Sequence, residues 1–197
     1  MVTPEHVLTY WLDEVGPKGW YNGGSELDQQ VRDKFEPTWT QAQEGACGLW
    51  LTSPIGALGY IILMDQFPRN MFRDQAAAFA SDQSARAATK VAIEKDWDLK
   101  LPEPARQFFY LPLMHSENLI DQDRAVRLIA TRMSDSDSHL RHARAHRTVI
   151  RQFGRFPYRN AALGRKTTNA EAEWLSDGGY KLALDEVDDV TKAKEGE

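Results

Sequence analysis

Two short phrases in the sequence place Arg and Asn shortly after Phe-Pro: QFPRN at 66–70 and RFPYRN at 155–160. A guanidinium presents a planar set of donors that fits a carboxylate or a phosphate, and an Asn amide can both donate and accept. If both phrases close helices that end at one place, their polar side chains line one cavity. The residue types therefore predict a site for a small anionic or polar ligand.

Acid–base chemistry at such a site needs groups that exchange protons near neutral pH, and His beside Glu meets that need. The residues expected around the cavity are Asp65, Arg69, Asn70, His115, Glu117, His146, Arg155, Arg159 and Asn160. His115, Glu117 and His146 are the candidates for catalysis. The same groups can instead pair with one another as a buried ionic lattice that ties helix ends together. That alternative needs no ligand, so the choice between an enzyme and a non-enzyme stays open.

A pair of histidines raises the possibility of a metal site. His142 and His146 lie four residues apart, so they share one face of a helix and can reach one metal ion. His115 or Glu117 could supply a third ligand. However, the pair has no HExxH context, and core histidines satisfied by hydrogen bonds are more frequent than ligands. We assign no metal ligands and leave the cofactor unknown, and we keep a metal-dependent enzyme that uses these three histidines as an alternative.

The elements that must position these residues are predicted to be helices throughout. Helical spacing of apolar residues recurs along the chain, and alternating strand-type runs are almost absent. The segment 54–66 is apolar on nearly all sides, which is typical of a buried central helix. Phe-Pro is expected to end this helix and the helix over 139–154, because proline disfavours helical geometry in the residue before it. Gly154 either ends a helix in left-handed geometry or allows close approach.

Six to eight helices joined by short loops predict an all-α fold of stacked antiparallel helical hairpins. We expect a single domain over 1–184 and a disordered acidic tail over 185–197. Thr168 and Glu171 have the spacing of a capping box at the start of a short helix. Gln122 falls on the inner face of a helix, where a polar group needs a partner, and the Arg and Asn side chains of the two phrases are the expected partners.

The charge of the chain is unevenly distributed. The net charge of −5 argues mildly against nucleic acid as a partner. Residues 139–166 nevertheless hold eight Lys or Arg and no acid, whereas residues 171–197 hold nine acids and three lysines. Most arginines of the helix over 139–154 fall on the face opposite the histidines, which predicts a solvated face. This basic surface can meet an anion, but the chain's own acidic end is the simpler partner.

Other features of the sequence limit the setting of the protein. The longest apolar segment, at 55–64, is too short to span a bilayer, so no membrane partner is expected. The single cysteine, Cys47, excludes an internal disulfide, and the first residues lack the pattern of a secretory signal. A cytoplasmic protein is the expectation. The oligomeric state stays open.

Three segments carry a resemblance to a known family: LMDQFPRNMFR at 63–73, FFYLPLMHSENLIDQDRAVRL at 108–128 and HARAHRTVIRQFGRFPYRNAALGR at 142–165. They resemble the bacterial family catalogued as domain of unknown function 924, over most of the chain from about Trp11 to Leu175. The resemblance implies an all-helical fold similar to tetratricopeptide-repeat proteins, and it implies no reaction.

The resemblance also implies a set of polar signature positions. Carried over onto this chain, they are Asp65, Gln66, Arg69, Asn70, Arg73, His115, Glu117, Gln122, Arg155, Arg159, Asn160 and Arg165. Two departures stand out: Tyr158 replaces a His in the family's usual Phe-Pro-His-Arg-Asn, and GRKTT at 164–168 replaces Gly-Arg-Glu-Ser-Thr. The first departure removes a possible proton carrier, although Tyr158 can still form hydrogen bonds.

The leading hypothesis is a helical protein that binds a small anionic or polar ligand through Arg69, Arg155 and Arg159, with His115 or His146 as a possible acid or base. The alternative from another class is a peptide- or protein-binding module, because stacked helical hairpins create extended concave surfaces.

Overall fold

Helices form all the regular structure of the computed structural model, which describes residues 2–195 and contains no strand within that range. The α-helices are α1 (Pro4–Leu8), α2 (Gly16–Trp20), α3 (Ser25–Gln43), α4 (Pro54–Ile61), α5 (Phe67–Met71), α6 (Asp82–Glu94), α7 (Leu111–Met114), α8 (Leu119–Arg132), α9 (Asp137–Phe153), α10 (Asn169–Ser176) and α11 (Tyr180–Glu195). Two π-helical segments, Thr9–Val15 and Ile62–Gln66, follow α1 and α4, and short 3-10 turns connect several of the other helices. The all-α prediction is confirmed, while the repeat-like stacking of hairpins stays a prediction.

The contacts of the chain group into two compact units, an N-terminal unit that ends at Pro112 and a C-terminal unit that begins at Leu113. The single domain expected over 1–184 stays a prediction. Within residues 2–195, no helix has the length and apolar character needed to cross a membrane.

The core of the N-terminal unit forms around α4 and the π-helical segment that follows it. Every residue from 56 to 68 is buried, so the prediction of a buried central helix is confirmed. Phe67 is fully buried, with its ring centroid 4.5 Å from that of Phe35 and 5.4 Å from that of Trp11. Aromatic rings at such separations contribute beyond the area that they bury. The phenylalanine of the first phrase is therefore an anchor of this core.

The proline of the first phrase does not end its helix, contrary to the prediction. The N–H of Phe67 donates to the carbonyl of Ile62, five residues earlier, and the helix continues to Met71. Pro68 has no N–H for the carbonyl of Met64, four residues earlier, and the hydroxyl of Ser81 donates to that carbonyl at 2.6 Å. The helix continues past Pro68 for two reasons. The π-helical turn before it is wider than an α-helical turn, and the Ser81 hydroxyl replaces the hydrogen-bond donor that the proline lacks.

Ser81 is expected to be a stabilising residue of this unit. Its buried hydroxyl also accepts a hydrogen bond from Nε1 of Trp39 at 2.9 Å. Ser81→Ala leaves both the Met64 carbonyl and the Trp39 indole without a partner, so we expect the free energy of unfolding to fall by roughly 2–4 kcal/mol. Urea unfolding followed by tryptophan fluorescence measures the change. The matched control is Ser25→Ala, at an exposed position; equal effects of the two substitutions would contradict this role.

The C-terminal unit is built from α8, α9 and α11, with α10 beside them. Val149, Ile150, Phe156 and Trp174 belong to one buried apolar cluster. α9 ends at Phe153 because Gly154 adopts a left-handed conformation (φ 68°). Gly154, and not the Phe-Pro of the second phrase, therefore ends this helix. Phe156 is then extended, and Pro157–Arg159 forms a 3-10 turn.

α11 is helical through Glu195, where the sequence predicts a disordered tail. Val187 is buried in the apolar cluster of the unit. The carboxylate of Asp188 accepts two hydrogen bonds from the guanidinium of Arg141, at 2.6 and 2.8 Å. Buried apolar side chains and this ion pair hold the helix on α9, so the basic helix does meet the chain's own acidic end at this position. The last two residues of the predicted tail lie outside the described residues.

Candidate functional site

The polar side chains of the first phrase lie in the N-terminal unit and pair with acids. Asp65 is fully buried, and its carboxylate accepts a hydrogen bond from the side-chain amide of Gln66. Arg69 bridges two carboxylates: Nη1 lies 3.3 Å from Oδ1 of Asp65, and Nη2 lies 2.9 Å from Oδ1 of Asp82. The arrangement is an ionic network around the helix end.

Asn70 and Arg73 meet a second acid, Asp28, from the first turn of α3. Nδ2 of Asn70 and the Nε and Nη2 of Arg73 all donate to its carboxylate at 2.9 Å. Burial opposes ionisation of Asp28, but the hydrogen bonds from Arg73 and Asn70 outweigh it, so the pKa of the carboxyl lies below its ordinary value. Asp28 is more than 40 residues away in sequence from both partners, and no local pattern predicts the pairing.

Glu117 joins the second phrase to the start of α8 in the C-terminal unit. Its carboxylate accepts the backbone N–H of Phe156 at 2.8 Å and both Nη groups of Arg165 at 2.7 and 3.0 Å. Burial opposes ionisation, but the hydrogen bonds and charge of Arg165 and the hydrogen bond from Phe156 outweigh it, and the pKa of Glu117 is lowered. A carboxylate engaged in this way fixes the loop and is poorly placed to move a proton.

Arg155 and Asn160 pair with Glu171 of α10. The guanidinium of Arg155 donates to both carboxylate oxygens at 2.6 and 2.7 Å, and Nδ2 of Asn160 donates at 3.3 Å. The hydrogen bonds from Arg155, and next the N–H of Thr168, lower the pKa of Glu171 to about 2. The capping box of Thr168 and Glu171 is confirmed, whereas no sequence signal pointed to the ion pair with Arg155. These contacts are the kind expected if the polar residues pair with one another in an ionic lattice and not with a ligand.

Gln122 does not bond to the Arg and Asn side chains of either phrase, contrary to the prediction. Its side-chain Nε2 donates to the carbonyls of Met114 and Ser116 at 2.6 and 2.7 Å. The reason is local: the short helix α7 ends at Met114, and the turn before α8 leaves these carbonyls unpaired within reach of Gln122. Gln122 therefore supports the turn that carries His115.

A group of rings and one guanidinium, which we call the imidazole cluster, comprises His115, His146, Phe156, Arg159 and Tyr180 of the C-terminal unit. The His146 ring centroid lies 4.9 Å from that of Tyr180, 5.4 Å from that of Phe156 and 6.3 Å from that of His115. Cζ of Arg159 lies 4.4 Å from the centre of the Phe156 ring, and Nη1 donates to the carbonyl of His115. The structure thus brings together three of the predicted residues: His115, His146 and Arg159.

Hydrogen bonds fix the protonation of His146. Nδ1 lies 2.8 Å from the carbonyl oxygen of His142, which can only accept, so this nitrogen carries the proton. The hydroxyl of Tyr180 lies 3.0 Å from Nδ1 of both His142 and His146. Nε2 of His146 is then the acceptor atom of a neutral ring, and it has no hydrogen-bond partner among residues 2–195.

The surroundings of His146 disfavour its charged form. Burial is the main cause, and the hydrogen bond to the His142 carbonyl opposes it; the nearby positive groups of His115, Arg159 and His142 act in the same direction as burial. Together they lower the pKa of His146 to about 3. Its imidazole is therefore neutral at physiological pH. Tyr180, whose pKa is raised by burial, stays protonated there.

The histidine pair of α9 does not form the metal site that its spacing permits. Nδ1 of His142 and Nδ1 of His146 both lie at hydrogen-bond distance from the hydroxyl of Tyr180. Within residues 2–195, no group of three or more His, Cys, Asp or Glu side chains is placed to hold a metal ion. The sequence spacing correctly placed the two histidines on one face, but nothing in it indicated the tyrosine between them.

The two phrases belong to different units, and the shared cavity expected of them stays a prediction. The groups that the structure gathers in the C-terminal unit are the imidazole cluster and the surrounding lattice of Glu117, Arg155, Asn160, Arg165 and Glu171.

Comparisons with known proteins place this arrangement in a family. A model for a bacterial protein family of unknown function (DUF924) matches residues 7–179. The chain is also similar to a solved protein of unknown function from Agrobacterium tumefaciens, with 34% sequence identity and a TM-score of 0.83 over 89% of this chain and 97% of that one. A search of curated proteins gives no match. The chain therefore belongs to the bacterial DUF924 family.

Proposed function

We propose that the C-terminal unit binds a small oxyanion that also carries a hydroxyl group, with Arg159 bound to the anion and Nε2 of His146 bound to the hydroxyl. The observation that carries the proposal is the unpartnered Nε2 of His146, on a half-buried ring whose other nitrogen is held by the His142 carbonyl. The His146 ring and the Arg159 guanidinium both contact the Phe156 ring, so a neutral acceptor and a cation are available to a ligand that offers a proton donor near a negative charge.

The proposal limits binding to a subset of the predicted polar residues. Arg155, Arg165 and Glu117 form bidentate pairs, so they support the site and do not recognise the ligand. The side chain of Arg159 packs on the Phe156 ring and donates to the His115 carbonyl, within the cluster that surrounds His146.

An acid–base role follows from the change that a bound anion would make. A negative charge beside His146 stabilises the imidazolium form, so ligand binding raises the pKa of this histidine from its low value. Binding then becomes tighter only as the pH approaches this raised pKa, and the proton taken up turns Nε2 from an acceptor into a donor toward the ligand hydroxyl. A group whose proton affinity depends on bound ligand can donate or accept a proton during a reaction.

A pair of matched probes tests the hydroxyl contact. Glycolate and acetate share a carboxylate, and only glycolate carries a hydroxyl. We expect glycolate to bind about five- to tenfold more tightly, because one added hydrogen bond to a neutral acceptor contributes roughly 1 kcal/mol. NMR titrations that follow the ring protons of Phe156 and Tyr180, and those of His146 where it is present, measure both affinities. A pH titration of the His146 resonances with and without glycolate measures the predicted rise in its pKa.

Three variants separate the roles. His146→Gln is expected to abolish the preference for glycolate, and Arg159→Gln to weaken both probes. Lys166→Gln removes an exposed cation from the same unit and serves as the control. A His146→Gln protein that keeps the wild-type preference, or glycolate binding that does not move the His146 resonances, contradicts the proposal. Circular dichroism of each variant confirms that it is folded.

A further inference from the structure

A second possible binding site lies among α8, α9 and α11, in a cavity of about 510 Å³ that shares no residue with the imidazole cluster. Three arginines of α9 line it: Arg144, Arg147 and Arg151. A volume of a few hundred Å³ is typical of sites for small molecules. This cavity therefore gives the basic face of α9 a possible role beyond the pairing of Arg141 with Asp188.

The acids nearby do not engage all of the arginine donors. Asp123 is shared by Nη1 of Arg147 and Nη2 of Arg151, at 3.2 and 3.3 Å. Arg144 forms no hydrogen bond or ion pair within residues 2–195, and the buried Nε of Arg147 has no partner there. Glu186 also lines the cavity, so two carboxylates face three guanidinium groups. One positive charge remains uncompensated among these groups.

The rest of the cavity wall consists of three valines and two threonines, Thr148 and Thr191. Val126 of α8 and Val187 and Val190 of α11 line it, and Val190 is 51% exposed. An inorganic ion alone would leave Val190 in water, whereas an apolar group that covers its side chain gains about 25 cal/mol for each Å² buried. The lining therefore favours a ligand with two parts.

We propose that this cavity binds a small molecule with one carboxylate on an apolar body, the carboxylate against Arg144 and Arg147 and the body against the three valines. We assign the ligand one negative charge because one guanidinium is in excess over the carboxylates. We assign it an apolar body because the three valines line the cavity. The proposal is independent of the imidazole cluster, since the two sites share no residue.

Octanoate and octanol test the two parts of the ligand, because they share a chain and only octanoate is charged. In NMR titrations of the full chain, octanoate is expected to shift the methyl resonances of Val126, Val187 and Val190, and to bind at least about tenfold more tightly than octanol. Arg144→Gln is expected to remove that advantage. Arg127→Gln, which removes an exposed arginine of α8, is the matched control and leaves binding unchanged.

Three results would overturn the proposal. Equal binding of octanoate and octanol would show that charge plays no part, and sulfate that binds as tightly as octanoate would reveal an adventitious ion only. Octanoate shifts that are confined to the rings of His146, Phe156 and Tyr180 would assign the ligand to the imidazole cluster. Failure of this test leaves the comparison of glycolate with acetate unaffected, so the two proposals can fail separately.

Discussion

Phe156→Ala is expected to lower the free energy of unfolding of the C-terminal unit by about 3–5 kcal/mol, the usual loss when a buried phenylalanine is truncated. The side chain is fully buried, and its ring contacts those of His146 and Tyr158 and the guanidinium of Arg159. His146 and Arg159 are held by hydrogen bonds to backbone carbonyls, so they cannot readily move to fill the space. A cavity would remain at the centre of the imidazole cluster.

Hydrogen exchange of the α9 amides in the full chain measures this loss, because it reports on the opening of that helix. Phe156→Leu keeps most of the apolar volume, and we expect it to cost less than half as much as the alanine substitution. Tyr158→Phe, at a position 41% exposed, is the control for a substitution in the same turn that keeps the ring contact with Phe156. A loss below about 1 kcal/mol in Phe156→Ala would contradict the role of this ring as an anchor.

Acidification from about pH 6.5 to about pH 5 is expected to destabilise the C-terminal unit by about 2 kcal/mol. The pKa of His146 is about 3 in the folded protein, and a histidine in an unfolded chain titrates near about 6.5. The unfolded state therefore takes up the proton first, and stability falls as the pH drops below about 6.5, by at most about 1.4 kcal/mol per pH unit for this residue. The stability linked to His146 is fully present above the pKa of this residue in the unfolded chain. It is lost progressively as the pH falls toward the folded-state pKa of about 3.

His142 also lowers the stability of the unit as the pH falls, because its pKa in the folded protein is lowered too, chiefly by burial. The carboxyl groups of Glu117 and Glu171 have lowered pKa values, so their contributions are lost only at more acidic pH. Chemical unfolding at half-unit steps between about pH 7 and about pH 5 measures the slope. His146→Gln should flatten it, and an equal slope in this variant and the wild type would exclude His146 as its source.

The helices of this protein could be predicted because their apolar spacing is a local property of the chain. The buried helix after Ser53 and the helix end at Gly154 follow from such local signals. The continuation through Pro68 could not be predicted, since it depends on a hydroxyl from Ser81, which becomes a neighbour only in the folded unit. Similarly, the helix Tyr180–Glu195 depends on the apolar cluster that buries Val187.

The candidate site was predictable only in part, for a related reason. Residue types and the family resemblance identified Glu117, Arg155 and Arg165, but ion pairs join positions that are far apart in sequence. The capping-box spacing identified Glu171 as part of a helix start, but this pattern does not predict its pairing with Arg155. Tyr180 had no sequence signal at all, although its hydroxyl lies beside both histidines of α9.

The contacts of Arg165 limit how the loop that precedes it can vary in length. Its guanidinium donates to the carbonyl of Phe156 at 3.0 Å and to Oδ1 of Asn160 at 3.0 Å, while its backbone N–H donates to the carbonyl of Asn160. Glu117 holds both ends of this segment, at the N–H of Phe156 and the guanidinium of Arg165. Exposed loops usually accept an inserted residue, but one added here would pull the guanidinium away from Phe156 or Glu117. The nine-residue step from Phe156 to Arg165 is thus a fixed span, and a poor place to graft a tag or splice a foreign peptide.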